Sequence, residues 1–217
     1  MKKNKLLQRG SLFGNKEFKI EEFNKNFDTF NVKDIFTDMD SGSVFIIKDD
    51  LKLYAAGYNV FGNLGLGNKV SPIRYFSKID IDNVKYVSSS GTHSLLLKNN
   101  GDVYSTGLNT DGELGLGDNI DRNTFTKINI SNVKQIACGN GYSMLVTNDN
   151  ELYVCGNNKF GGIGLGNTST VNTFTKIDNL SVKEIFAGVS CSYILTLNNE
   201  VYSTGTNSYG QLGLNDT

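Results

Sequence analysis

Apolar and polar positions alternate along this chain in short blocks. In the third of several similar stretches the apolar blocks lie around Ile128, Val133–Ala137, Met144–Thr147 and Leu152–Cys155, and Asn, Asp, Gly and Ser separate them. Blocks of this length, rich in Val, Ile and Tyr and bounded by turn formers, predict β-strands. No window in these stretches sustains a helical period over about ten residues. Three polar breaks fall at one place in successive copies: NNGD at Asn99–Asp102, NDNE at Asn148–Glu151 and LNNE at Leu197–Glu200. Each sits between two apolar blocks, as the turn of a tight hairpin does. Each copy therefore reads as a small antiparallel sheet of about four strands.

The copies share a glycine-rich stretch. It begins at Gly57, Gly107, Gly156 and Gly205, as GYNVFGNLGLGN, GLNTDGELGLGDN, GNNKFGGIGLGN and GTNSYGQLGLND. The leading glycines stand 50, 49 and 49 residues apart, which is the period of a repeat architecture. A phosphate-cradling loop needs a preceding parallel strand and a following helix. Neither is predicted here, and a single active site does not come in four copies. The stretch is expected to link one sheet to the next, its glycines allowing close approach and Leu114 and Leu116 plugging the seam. Asn59, Asn109, Asn158 and Asn207 hold one position in it, where a side-chain amide can tie down a turn.

The pattern VKxIxxGxxxSxxLTxxxxVYxxGxNxxGxLGLG, running from Val32 to Thr217, resembles the repeat of the regulator of chromosome condensation (RCC1-like) β-propellers. Kelch repeats favour a diglycine with Tyr and Trp, and WD repeats need Gly-His and Trp-Asp. This sequence has no Trp. The family often places Trp before the blade-ending glycine, where Ala56, Thr106, Cys155 and Thr204 stand here, so smaller groups are expected in the seams. The resemblance implies an all-β fold: a β-propeller of RCC1-type repeats with about four four-stranded blades. Family members usually close seven blades, so a partial or open ring is expected, whose uncovered faces meet a protein partner or further copies of the chain. Closure of four blades on their own is the remaining architecture.

Residues 1–31 form an irregular N-terminal segment, and residues 32–217 the blades. In the repeats the Ile of KI precedes the Val of the next block by five residues, as in Ile128 to Val133, but from Ile20 to Val32 the gap is twelve. Ile20, Phe23, Phe27 and Phe30 follow helical spacing, and two readings stand: a short amphipathic helix, or a degenerate outer strand with a longer loop. RGSLFGN near Arg9 reads as the remnant of a preceding glycine-rich stretch.

Charge narrows the partners. With 21 basic and 22 acidic side chains the formal net charge is −1, which removes the electrostatic case for nucleic acid or an anionic membrane surface. The basic start MKKNKLLQRG offers only two leucines before Gln8 and Arg9, short of the roughly 7–15 apolar residues of an export signal. No block reaches the length of a membrane span. An intracellular or virion-associated chain is expected.

Candidate chemistry is sparse. His93, the single histidine, is replaced by Tyr142 and Cys191 in the following copies, each preceding a Ser, so it reads as a structural slot without a partner base or nucleophile. By the family resemblance, the His of this HS pair lies towards a partner-binding face, which would place His93 and Tyr142 beside it. Phe61, Asp111, Phe160 and Tyr209 share one position in the glycine-rich stretch. Aromatic rings there either pack over the backbone or stand out as interface anchors. Cys138, Cys155 and Cys191 occupy different positions in their copies and read as reduced, half-buried small residues. DNID at Asp118–Asp121 lacks the ligand pattern of a calcium loop. No catalytic, cofactor or metal site is expected.

These readings point to a non-catalytic scaffold for protein–protein interaction or assembly, with NKVSPIR, DNIDRNT and NTSTVNT as variable loops on a stiff frame. Two alternatives remain at this stage: a structural component of a virus or phage particle, and a guanine-nucleotide exchange factor for a small GTPase. The family resemblance suggests the second, but the even repeat spacing leaves no room for an inserted wedge.

Overall fold

The computed structural model describes residues 31–38 and 42–215, and all regular structure among them is β. The helix-or-strand question over Ile20 to Phe30, and the RGSLFGN remnant, lie outside the described residues. Fifteen strands form four antiparallel sheets. The first contains β1 (Val32–Thr37), β2 (Val44–Lys48), β3 (Leu53–Gly57) and β4 (Ile73–Ile79). The second contains β5 (Val84–Ser89), β6 (His93–Lys98), β7 (Val103–Gly107) and β8 (Arg122–Lys127). The third contains β9 (Val133–Gly139), β10 (Tyr142–Thr147), β11 (Leu152–Gly156) and β12 (Val171–Ile177). The fourth has three strands, β13 (Val182–Ala187), β14 (Cys191–Thr196) and β15 (Val201–Gly205). Strands follow in spatial order within each sheet, successive sheets pack through their first two strands, and the described residues close no ring. This is the blade arrangement of a β-propeller.

The predicted hairpins are present. Gly101 N–H donates to Lys98 O at 3.0 Å and Asn150 N–H to Thr147 O at 3.0 Å. Both turn residues have positive φ, which Gly and Asn tolerate. The turn also reaches the next sheet: Val133 N–H donates to Gly101 O at 3.1 Å, and Val182 N–H to Asn150 O at 2.9 Å. A hairpin tip thus satisfies the first donor of the following inner strand.

The phase of the repeat differs from the sequence reading. The block containing Lys127 and Ile128 pairs backwards, Tyr104 with Lys127 and Ser105 with Thr126, so it completes the second sheet instead of opening the third. The glycine-rich stretch consequently joins the third and fourth strands of one sheet, and the covalent link between sheets is the short segment after KI. The expectation that the stretch links the blades is corrected in chain order, yet in space it does lie at the seam. Leu64 belongs to one buried cluster with Val87 and Leu96 of the second sheet, and Ile163 clusters with Ile185 and Ile194 of the fourth. Gly112, at φ +79°, lets its backbone touch the outer strand of the third sheet: an added Cβ would sit 2.4 Å from Asn172 Cα.

The asparagine position works as predicted. Asn109 Oδ1 accepts Leu114 N–H at 2.9 Å, while its Nδ2 donates to Asp118 O at 2.9 Å and Ile120 O at 3.2 Å. Asn59 and Asn158 repeat the set, and Asn207 Oδ1 accepts Leu212 N–H at 2.8 Å. In the first three copies one buried amide holds both ends of the loop.

Both faces of the inner sheets are covered. Every residue of β10 is buried, and all of β6 except Lys98, the near-continuous burial of a strand packed on two sides. In β14 buried and half-exposed residues alternate: Ser192, Ile194 and Thr196 are covered, Cys191, Tyr193 and Leu195 are not. One face of the fourth sheet is open.

Candidate interaction face

Each junction between sheets is fastened by a buried serine. Ser94, Ser143 and Ser192 donate their hydroxyls to the carbonyls of Asn63, Glu113 and Gly162 in the glycine-rich stretch of the preceding sheet, at 2.8, 2.7 and 2.6 Å. Beside them lies the slot residue. His93 Nε2 is 2.9 Å from Ser143 Oγ, and its Nδ1 is 2.9 Å from Ser90 Oγ. The single Ser143 proton goes to the Glu113 carbonyl, which can only accept, so the His93 contact requires an Nε2–H donor. Nδ1 is then the acceptor of the Ser90 hydroxyl. Burial holds this imidazole neutral and pushes it down to about 4. In the next copy the Tyr142 hydroxyl lies 3.0 Å from Ser192 Oγ and meets the carbonyls of Gly188 and Cys191, and burial pushes it up to about 12. His93 and Tyr142 therefore act as junction pieces.

Around these junctions three loops converge: Ser90–Thr92 between β5 and β6, Asn140–Gly141 between β9 and β10, and Gly188–Ser190 between β13 and β14. With the glycine-rich stretches they line two adjoining hollows of about 180 Å³ and 450 Å³ that share Thr92, Asn140 and Val189. Tyr142, Asp111 and Phe160 come together in the smaller hollow, and Phe61 lines the wider one. The ring of Phe61 stands edge-on to Tyr58, centroids 6.1 Å apart. Phe160 is 65% exposed and Tyr209 93%, so neither ring packs over its own backbone. Tyr209 and the buried ring of His93 line neither hollow. Val189, also exposed, adds apolar surface at the shared rim.

Two polar groups set the chemistry of the smaller hollow. Asp111 Oδ2 accepts Asn157 Nδ2–H from the next sheet at 2.7 Å, and Lys159 Nζ is 3.7 Å from Oδ1. Glu113 is almost wholly buried and accepts Asp111 N–H at 2.8 Å. Burial raises its carboxyl above the ordinary range, opposed by the N–H groups of Glu113 and Asp111. The sequence reading passed over Glu113. Its signal was a charged residue between the glycine and the leucine of the glycine-rich stretch, where the other copies have Asn63, Gly162 and Gln211.

All three cysteines are free thiols, but only Cys191 is half-buried as expected; Cys138 and Cys155 are buried between the sheets. Burial pushes the Cys138 thiol up to about 12 and raises Cys155 strongly, so both are poor nucleophiles. Among the described residues no group of His, Cys, Asp and Glu is arranged to hold a metal ion, and no helix is long and apolar enough to cross a membrane.

Known proteins share this architecture. The family model described as regulator of chromosome condensation (RCC1) repeat matches residues 100–146, and a second model of the same description matches 84–113, 133–161 and 182–211. Yeast RCC1 (Prp20), in its crystal structure with Kap60, superposes with a TM-score of 0.77 at 21% identity over 88% of this chain and 47% of that one. Prp20p from Saccharomyces cerevisiae, in a study of its binding to Gsp1p and histones, gives 0.77 at 21% identity over 89% and 49%. Human WBSCR16 gives 0.70 at 23% identity over 80% and 47%. The chain thus spans about half the length of these structures. Among curated proteins none matches the sequence significantly. The period, the four-stranded meanders, the seam-lining glycine-rich loops and the repeat matches agree on one assignment: this chain carries RCC1-type repeats folded as the blades of an RCC1-like β-propeller.

Proposed function

We propose that the repeat array is a non-catalytic scaffold for protein–protein interaction or assembly, and that its contact face is the paired hollow bounded by Phe61, Asp111, Phe160 and Val189. The observation that carries this reading is the placement of exposed apolar side chains on loops whose bases are locked by buried hydrogen bonds, as at Asn109 and Ser143. Rigid bases lower the ordering cost of binding, and aromatic anchors supply contact area. His93 supports a non-catalytic role because both ring nitrogens are engaged within the junction. Partner binding by fold relatives, Kap60 for yeast RCC1 and Gsp1p and histones for Prp20p, supports a protein as the partner class.

The test places a photo-crosslinking residue at position 160 and compares captured protein with that from a Phe160→Ala, Val189→Asp variant. Specific capture that the unlabelled chain competes away, and the variant does not, supports the face. Equal competition by both removes it.

Guanine-nucleotide exchange is the second reading, favoured by the family's repeat matches. Stimulated nucleotide release from a small GTPase would establish it in place of the scaffold.

A further inference from the structure

The chain contains two Asn-Gly pairs, Asn100–Gly101 and Asn140–Gly141, and the fold treats them oppositely. Asparagine followed by glycine closes on itself readily, because no Cβ shields the glycine nitrogen from the asparagine carboxamide carbon. At the first pair every group that ring closure needs is engaged. Asn100 Oδ1 accepts Asp102 N–H at 3.1 Å, its Nδ2 donates to Asp102 Oδ2 at 3.1 Å, and Gly101 N–H donates to Lys98 O at 3.0 Å. Gly101 is itself buried, and its carbonyl takes Val133 N–H of the next sheet.

The second pair is free where the first is held. Asn140 is exposed at the turn between β9 and β10, and among the described residues neither its carboxamide nor Gly141 N–H has a hydrogen-bond partner. The far side of the turn is fixed, since Gly141 O accepts Asn157 N–H at 2.8 Å. The equivalent loop positions in the neighbouring sheets, Gly91–Thr92 and Val189–Ser190, carry no carboxamide. Asn140 lines both hollows of the contact face. The loop stands beside a carboxylate already there, with Asp111 Oδ2 3.9 Å from where a Cβ on Gly141 would lie.

We propose that Asn140–Gly141 is a self-modification site, at which the Gly141 nitrogen displaces ammonia from Asn140 and water then leaves a carboxylate on the rim of the hollows. The nitrogen gives up its proton and bonds to Asn140 Cγ, the Cγ–Nδ2 bond breaks, and the Nδ2 group departs as ammonia, leaving a succinimide ring. Water opens that ring at Cγ to give aspartate, or at the Asn140 main-chain carbonyl carbon to give isoaspartate, and returns a proton to the nitrogen. Neither step moves electrons to or from an outside reagent. Both products place an anion in the hollow that already holds Asp111 and Glu113, and isoaspartate also adds a methylene to the main chain of the turn. The reaction needs no partner, so it stands apart from the scaffold reading; its bearing on contact rests on that reading.

The test incubates the full chain at mildly alkaline pH in heavy-oxygen water and follows both Asn-Gly peptides by mass spectrometry, folded and in urea. In the folded chain Asn140 is expected to convert at least about tenfold faster than Asn100, because breaking the hydrogen bonds at the first pair adds to its barrier. In urea the two rates should converge. The heavy oxygen should enter each converted residue, and a protein isoaspartyl methyltransferase should methylate the position-140 peptide of the wild type but not that of Asn140→Gln. On an anion exchanger the aged wild type should gain a more acidic species with the charge of Asn140→Asp. No conversion at Asn140 in the folded chain overturns the proposal, as do equal rates at the two pairs or a difference that survives in urea. A chain that converts at Asn140 yet captures nothing through position 160 loses the scaffold reading and keeps this site.

Discussion

His93 donates Nε2–H to Ser143 Oγ at 2.9 Å across the junction of the second and third sheets, and Ser143 donates its own hydroxyl to the Glu113 carbonyl. Three groups from two sheets are thereby satisfied in one buried chain. Replacing Ser143 with Ala should cost about 1–3 kcal/mol, since Glu113 O and the imidazole each lose a partner. In a cycle with His93→Leu the two substitutions should be non-additive by about 1 kcal/mol. Urea unfolding of the four proteins measures both quantities, and simple additivity would mean that the contact carries no energy.

The same histidine predicts a pH dependence. Its folded value is about 4, below the ordinary 6.5, so the unfolded chain takes up a proton where the native one does not. The resulting stability is complete above pH 6.5, falls as pH drops through the window to about 4, and is constant below it. The loss amounts to about 3 kcal/mol. Glu113, raised by burial, acts in the opposite sense above its unfolded value of 4.5. The difference between wild type and His93→Leu therefore isolates the histidine, and parallel stability curves for the two would refute the assignment.

Two glycines with similar backbone angles should respond unequally to alanine. Gly117, at φ +85°, has nothing within 4 Å of an added Cβ, so Gly117→Ala should cost about 1 kcal/mol of left-handed strain. Gly112→Ala adds a clash with the Asn172 backbone and should cost several times more. Thermal unfolding distinguishes them, and equal midpoints would contradict the close approach of that loop to the third sheet.

Asn109→Ala should destabilise by about 2–4 kcal/mol, because Leu114 N–H loses its acceptor inside the seam and two carbonyls lose a donor. Asn207→Ala should cost less, since Asn207 and the Leu212 it binds are only half-buried. Urea midpoints for the two variants check the order.

The sequence carried much of this fold and less of its joints. The hairpins at Asn99–Asp102 and Asn148–Glu151, and the amide role of Asn109, were legible because each depends on residues close together in the chain. The phase of the repeat was not, since a period of 49 residues does not say whether the strand at Lys127 pairs backwards with Tyr104 or forwards with the next sheet. The slot character of His93 was visible in its exchange for Tyr142 and Cys191, but its partner Ser143 lies one full repeat away. Such long-range pairing leaves no local mark. The shared position of Phe61, Asp111, Phe160 and Tyr209 was legible too, but not that Asp111 and Phe160 meet in one hollow while Phe61 lines the other and Tyr209 neither.

The Asn109 amide grips main-chain oxygens of Asp118 and Ile120, and Asn158 does the same for Asn167 and Ser169. Such a clasp does not ask what side chain it is holding. The intervening tips can exchange their outward groups one repeat at a time while the underlying frame keeps its dimensions, so each blade is free to acquire its own recognition chemistry.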